Sequence, residues 1–126
     1  MSINVEEQVV YWQNGAREEL DTAELLLNNN KLNQGLFWAH LALEKALKAL
    51  VTRQTATIPP FIHDLVRLAD LTNIPFDDEK RAFLASCNRF AVRGRYEVPQ
   101  SPLGTPAEVA ETWTQIKETV QWLLTL

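Results

Sequence analysis

The sequence has little of what disulfide-rich, metal-binding or membrane proteins need. Its 126 residues include one cysteine, so an internal disulfide framework and a cysteine-based zinc site are excluded. The two histidines, His40 and His63, are too far apart along the chain to form a local metal-binding pair. No apolar run approaches the roughly 18 residues of a membrane span, and the acidic start has no apolar signal core. We therefore expect a cytoplasmic protein with no membrane segment, metal or cofactor.

Charge and motif content narrow the function further. Lys and Arg total 12 against 16 Asp and Glu, a net charge of −4, which excludes a protein that coats nucleic acid by bulk charge. Gly-rich phosphate-binding motifs, H-E-x-x-H and a nucleophile elbow are absent. The lone Cys87 lies on an apolar helix face, which favours a buried structural thiol over a nucleophile. No standard enzyme is indicated, and any nucleic-acid binding must come from a local patch.

Hydrophobic periodicity predicts an all-helical chain. Apolar residues recur at steps of three and four in five stretches, with Pro and Gly between them: Val9 to Leu27, about 33 to 53, from near Phe61 to before Asn73, Asp77 to about 93, and Thr105 to the end. The last begins with a capping box formed by Thr105 and Glu108 around Pro106. We expect an all-α fold, an antiparallel up-and-down four-helix bundle with an additional short helix, in which residues 1–126 form a single domain.

The second predicted helix carries charged and aromatic residues beside its apolar stripe. The simplest interpretation places Trp38 in the core and Glu44, Lys45 and Lys48 on a solvated face. His40 and Glu44 are four residues apart, so the two side chains are expected to meet in a hydrogen-bonded pair.

The segment I-P-P-F-I-H-D-L predicts how the third helix begins. Pro59 and Pro60 set the direction of the chain and place His63 in the first turn of that helix. The role expected for His63 is a tie to a neighbouring helix or loop, in preference to catalysis.

A cluster of arginines stands out on this acidic chain. Arg89, Arg93 and Arg95 fall within seven residues that contain no acid, and the first two share a helical face. Neighbouring guanidinium groups repel one another unless a nearby anion neutralises their charges. The candidates for that anion are a phosphate, the carboxylate of Glu97 and a carboxylate of a partner. Tyr96, which follows Arg95, either stacks on a base or caps the core. We place the candidate functional site here.

Together these features resemble the HEPN family. The matching features are Tyr11-Trp12 with Ala16, the H-L-A-L-E-K-A-L-K-A-L run of the second helix, P-P-x-x-H-x-L before the third, and R-Y-x-x-P after the fourth. They cover nearly the whole chain in family order. The resemblance implies a small bundle of four main helices plus a shorter one, and a homodimer in which the segments after helix four face a shared cleft.

Members of this family have different functions, and the resemblance implies one of two of them for this chain. Many family members are metal-independent ribonucleases with an Arg followed a few residues later by His, but no His follows His63 here, so that general acid/base is missing. The chain is more similar to the prokaryotic branch encoded beside minimal nucleotidyltransferases, often in toxin–antitoxin-like pairs. In some such relatives a Tyr receives nucleotides from the partner, and Tyr96 matches that position loosely.

The leading hypothesis is a non-catalytic, homodimeric binding module for a nucleotide, an RNA phosphate or a partner nucleotidyltransferase. The residues assigned to its site are Arg89, Arg93, Arg95, Tyr96 and His63. One alternative is a ribonuclease with a non-standard active site that uses His63 or His40 as its base. Another is a structural assembly subunit whose arginines pair with a partner's acids.

Overall fold

The computed structural model of the protein describes residues 3–93 and 104–126, and at residues 92 and 93 it describes only the helical backbone. Helices occupy most of these ranges and no strand occurs in them: α1 (Val5–Asn28), α2 (Leu32–Thr55), α3 (Leu65–Leu71), α4 (Asp78–Cys87), α5 (Arg89–Arg93) and α6 (Pro106–Leu123). Helices α1, α2 and α6 are the long members of a helical bundle, α4 and α5 together take the place of the predicted fourth helix, and α3 is the additional short helix. The all-α prediction is confirmed.

Several helix ends follow local sequence signals. The run of asparagines ends α1 at Asn28, and Asn30 takes a φ of 61° that reverses the chain into α2. At the start of α6 the predicted capping box is present. The Thr105 hydroxyl accepts from the Glu108 N–H at 3.2 Å, and the Glu108 carboxylate accepts from the Thr105 N–H at 3.0 Å.

Helix α2 is the centre of the bundle. Helix α1 lies antiparallel against it, and α3, α5 and α6 pack on its other sides. The two long helices approach closely where a glycine removes a side chain, since a Cβ on Gly35 would meet Leu27 at 2.6 Å and one on Gly15 would meet Lys45 at 2.9 Å. Because it is enclosed on several sides, α2 buries residues around most of its circumference.

The predicted fourth helix is interrupted at Asn88, which separates α4 from α5. The Asn88 side chain accepts from the backbone N–H of Leu65 at 2.9 Å and donates to the Asp64 carboxylate at 3.1 Å. An asparagine whose amide bonds elsewhere competes with helical continuity, and here it fastens the start of α3 to the α4–α5 junction. Beyond the break, Phe90 is buried in the core. We call the two hydrogen bonds of the Asn88 side chain, to the Leu65 N–H and to the Asp64 carboxylate, the Asn88 clasp.

The third helix begins later than predicted. Asp64 is its N-cap, accepting from the Val66 N–H at 3.0 Å, so the helix starts at Leu65 and not near Phe61. The prediction that His63 lies in the first turn is therefore wrong. Two prolines keep the preceding segment out of the helix, and His63 belongs to this connecting segment, immediately before the cap.

Candidate functional site

A buried carboxylate on α2 organises the polar groups of this region. Glu44 is 4% exposed; one of its oxygens accepts from the Lys48 ammonium at 3.0 Å, and the other lies 2.8 Å from Nδ1 of His63. The Lys48 ammonium also lies 5.4 Å from the ring centroid of Trp12 on α1. The prediction of a solvated face is wrong for Glu44 and Lys48, because α1 and the segment before α3 cover that side of α2.

His40 is enclosed in the core one turn before Glu44. Burial lowers its pKa, and the smaller opposing effects of the Glu44 charge and the His63 backbone do not reverse that direction. Among the described residues no well-formed hydrogen bond reaches either ring nitrogen, although the His63 backbone lies close enough to act on the pKa. The predicted His40–Glu44 pair is wrong, since the Glu44 oxygens are occupied by Lys48 and His63. A fully buried, neutral imidazole cannot exchange protons with a ligand at the surface.

His63 has the opposite environment. Its side chain is 56% exposed while Nδ1 is held by Glu44, which confirms the predicted tie to a neighbouring helix. A carboxylate bonded to one ring nitrogen fixes the orientation of an imidazole and directs the other nitrogen away from it. His63 is therefore an oriented, accessible imidazole, and Glu44 and its charge partner Lys48 form the support beneath it.

The Asn88 clasp joins the residues that follow His63 to the start of the arginine segment. Asp64 follows His63 directly, and Arg89 follows Asn88, so the clasp brings these two parts of the chain together. Arg89 is exposed, and its guanidinium lies 4.9 Å from the Phe90 ring centroid. It forms no ion pair with a carboxylate of the described ranges, although the pKa of Glu108 on α6 is lowered by its capping hydrogen bonds and, to a smaller extent, by the Arg89 charge. Two of the five predicted site residues, His63 and Arg89, thus belong to adjoining segments.

The remaining predicted site residues fall outside this description. Arg93 is the last residue of α5, and its side chain lies outside the described part of the structure. Arg95, Tyr96 and Glu97 lie outside it with both backbone and side chain. Whether the three guanidinium groups converge therefore stays a prediction.

Phe61 is a surface residue that the sequence interpretation missed. Its side chain is 94% exposed, although it lies two residues from His63. The backbone on both sides is held, since Ile62 packs on the core and its N–H donates to the Pro60 carbonyl at 2.9 Å. The available signal was Pro59-Pro60, which stiffens the segment and argues against a helix that begins as early as Phe61.

Other candidate chemistries find no support in the described ranges. Burial raises the pKa of the Cys87 thiol to about 12, so the predicted buried thiol is confirmed and is not a nucleophile at neutral pH. No cluster of three metal-ligating side chains occurs among these residues. None of their helices combines the length and the apolar character needed to cross a bilayer.

Comparisons with known proteins agree with this architecture. The sequence model described as HEPN domain matches residues 9–126. Among solved structures, the crystal structure of TT1696 from Thermus thermophilus is similar, with a TM-score of 0.75 and 19% identity over 92% of this chain and 95% of that chain. At that identity the likeness concerns the fold. No curated protein shows a comparable match.

Proposed function

Because the chain belongs to the HEPN domain family, we propose that it is a non-catalytic binding module for the phosphate of a nucleotide or RNA. The observation that carries the proposal is His63, oriented by buried Glu44, in a segment whose next residues, Asp64 and Leu65, are bonded to Asn88 at the start of the arginine segment. The proposed site comprises Arg89, Arg93, Arg95, Tyr96 and His63.

The chemistry of the site favours an anion. From Asn88 to Tyr96 the sequence has three arginines and no acid, on a chain whose net charge is −4. Guanidinium groups bind phosphate through paired, charge-assisted hydrogen bonds, and a fixed imidazole adds a further donor when protonated. Arg89 is exposed and forms no ion pair among the described residues, although its charge contributes to the lowered pKa of Glu108 on α6. An external phosphate would therefore compete with Glu108 for this guanidinium.

Phe61 adds a surface on which a base can stack. Aromatic side chains stack on any base, and such a contact contributes about 1–3 kcal/mol in single-strand binding. An almost fully exposed phenyl ring, on a backbone held by the Ile62–Pro60 hydrogen bond two residues from His63, fits this use. The ligand class that we propose is accordingly a nucleotide or single-stranded RNA, bound through both phosphate and base.

The wider proposal retains what the family resemblance implies. Residues 1–126 act as one domain in a homodimer with the arginine segments facing a shared cleft, in the cytoplasm, where nucleotides and RNA are found. Exposed Val10 and Tyr11 on α1 offer apolar surface for an interface. A minimal nucleotidyltransferase in a toxin–antitoxin-like pair is the proposed partner.

Fluorescence anisotropy with labelled single-stranded RNA and labelled nucleotide at low salt tests the proposal. Arg93→Ala and Arg95→Ala are each expected to weaken binding by about 10- to 150-fold, since one charge-assisted contact contributes about 1.5–3 kcal/mol. Arg17→Ala is the matched control, because Arg17 is exposed on α1 and bonds Asn14. Absent binding by the unaltered protein, or equal binding by all variants, would remove the proposal.

A second candidate, metal-independent ribonuclease activity, is favoured by the His63–Glu44 pair. A carboxylate that orients an imidazole is the arrangement of a general base and its positioning residue. Burial removes His40 as the base, which leaves His63. The test is RNA cleavage in the presence of a chelator. Cleavage that His63→Ala abolishes and Glu44→Gln reduces supports this candidate, and cleavage unaffected by His63→Ala contradicts it.

A further inference from the structure

A groove between α4 and α6 lies toward the start of α4, whereas Arg89 follows the end of that helix. Its volume is about 480 Å³, within the range of small-molecule sites. Phe76, Phe83 and Trp122 give it aromatic walls, and Phe76 meets Trp122 edge to face with centroids 5.8 Å apart. This geometry leaves aromatic surface available to a ligand in the groove.

A cation from the chain itself already uses that surface. The Lys80 ammonium lies 5.2 Å from the Trp122 ring centroid, the distance of a cation–π contact. The same ammonium lies 3.2 Å from the Asp77 carboxylate, and the lysine side chain is 46% exposed. Because the lysine side chain is long and flexible, Lys80 keeps a carboxylate partner if another cation displaces it from the ring.

The charged groups lining the groove also suit a cation. Glu79 on α4 and Glu118 on α6 line it from opposite helices, and Glu118 is one turn before Trp122. Among the residues that the structure describes, neither carboxylate takes part in an ion pair. With two carboxylates against the single ammonium of Lys80, the lining attracts positive charge and repels phosphate. It is thus distinct in chemistry from the arginine segment.

We propose that this groove binds a small organic cation of the alkylammonium class, and that Lys80 occupies the aromatic face until the ligand replaces it. Alkylated ammonium ions combine positive charge with apolar surface and weak hydration, which matches aromatic walls flanked by carboxylates. This inference does not depend on the proposed phosphate site.

Titration with choline, followed through the Trp122 indole resonance by NMR, tests the inference. We expect saturable binding that dimethylbutanol, the neutral isostere in which carbon replaces the charged nitrogen, does not reproduce. Lys80→Gln is expected to tighten binding about two- to five-fold, because it removes the competing internal cation. Glu118→Gln is expected to weaken it by a similar factor. Both residues are on the surface, so neither change should prevent folding.

Lys117→Gln is the matched control for Lys80→Gln, because Lys117 lies on α6 but pairs with Glu24 of α1. It is expected to leave the affinity unchanged. The inference is overturned if no saturable binding occurs, if the neutral isostere binds equally well, or if Lys80→Gln weakens binding. An effect of Lys117→Gln equal to that of Lys80→Gln would also overturn it, since the result would then report only net charge.

Discussion

Replacing Glu44 with glutamine tests the buried support beneath His63. The change keeps the size of the side chain but removes the negative charge that pairs with the Lys48 ammonium. The Lys48 side chain is only 6% exposed. Removing one member of a buried ion pair costs about 3–5 kcal/mol because the other charge stays buried and unpaired. We expect about 3 kcal/mol, the lower limit, since the glutamine oxygen still accepts from Lys48. That is a large part of the roughly 5–15 kcal/mol of a typical domain.

Urea unfolding measures this loss. With a typical slope of about 2 kcal/mol per molar, the Glu44→Gln midpoint should fall by about 1.5 M. The double variant Glu44→Gln/Lys48→Met should recover most of the loss, because it removes the unpaired charge as well. Glu24→Gln is the control, since its pair with Lys117 is exposed and contributes at most about 1 kcal/mol. If Glu44→Gln costs no more than the control, or the double variant recovers nothing, the reasoning is refuted.

Three further predictions concern His40, Phe61 and the oligomeric state. Because burial lowers the His40 pKa, the unfolded chain binds a proton at this residue more readily than the folded protein does. The free energy of unfolding should therefore fall as the pH drops below about 6.5, by at most about 1.4 kcal/mol per pH unit. In His40→Leu the urea midpoint should depend less on pH. An unchanged pH dependence would contradict this. Phe61→Ala should weaken RNA binding about ten-fold and leave pyrophosphate binding unchanged; equal loss for both ligands argues against stacking. Sedimentation at micromolar concentration should show a dimer, and a monomer would contradict the proposed shared cleft.

The sequence predicted those parts of the fold that depend on local signals. The capping box at Thr105 and the asparagines after Leu27 act within one turn of the helix they bound, so their effects were readable from neighbouring residues. The break at Asn88 could not be predicted in this way, because it depends on hydrogen bonds to Asp64 and Leu65, which are distant in the chain. The same clasp explains why α5 is separate from α4.

The candidate site was only partly predictable for a related reason. His63 was identified as a tie, but its partner Glu44 was assigned to solvent because Glu44 and Lys48 have the spacing of an exposed ion pair. Their burial depends on Trp12 of α1 and on the segment before α3, and therefore on tertiary packing that helical periodicity does not contain. Phe61 was not identified as a candidate, because its almost full exposure depends on a helix that begins only at Leu65 and not near Phe61.

The most direct test of the central claim is an NMR titration with a nucleotide that follows the His63 ring and the guanidinium resonances of Arg89, Arg93 and Arg95 together. Our account predicts that all four shift and saturate with one dissociation constant. Shifts confined to other parts of the protein, or arginine shifts that saturate while the His63 ring does not respond, would contradict it.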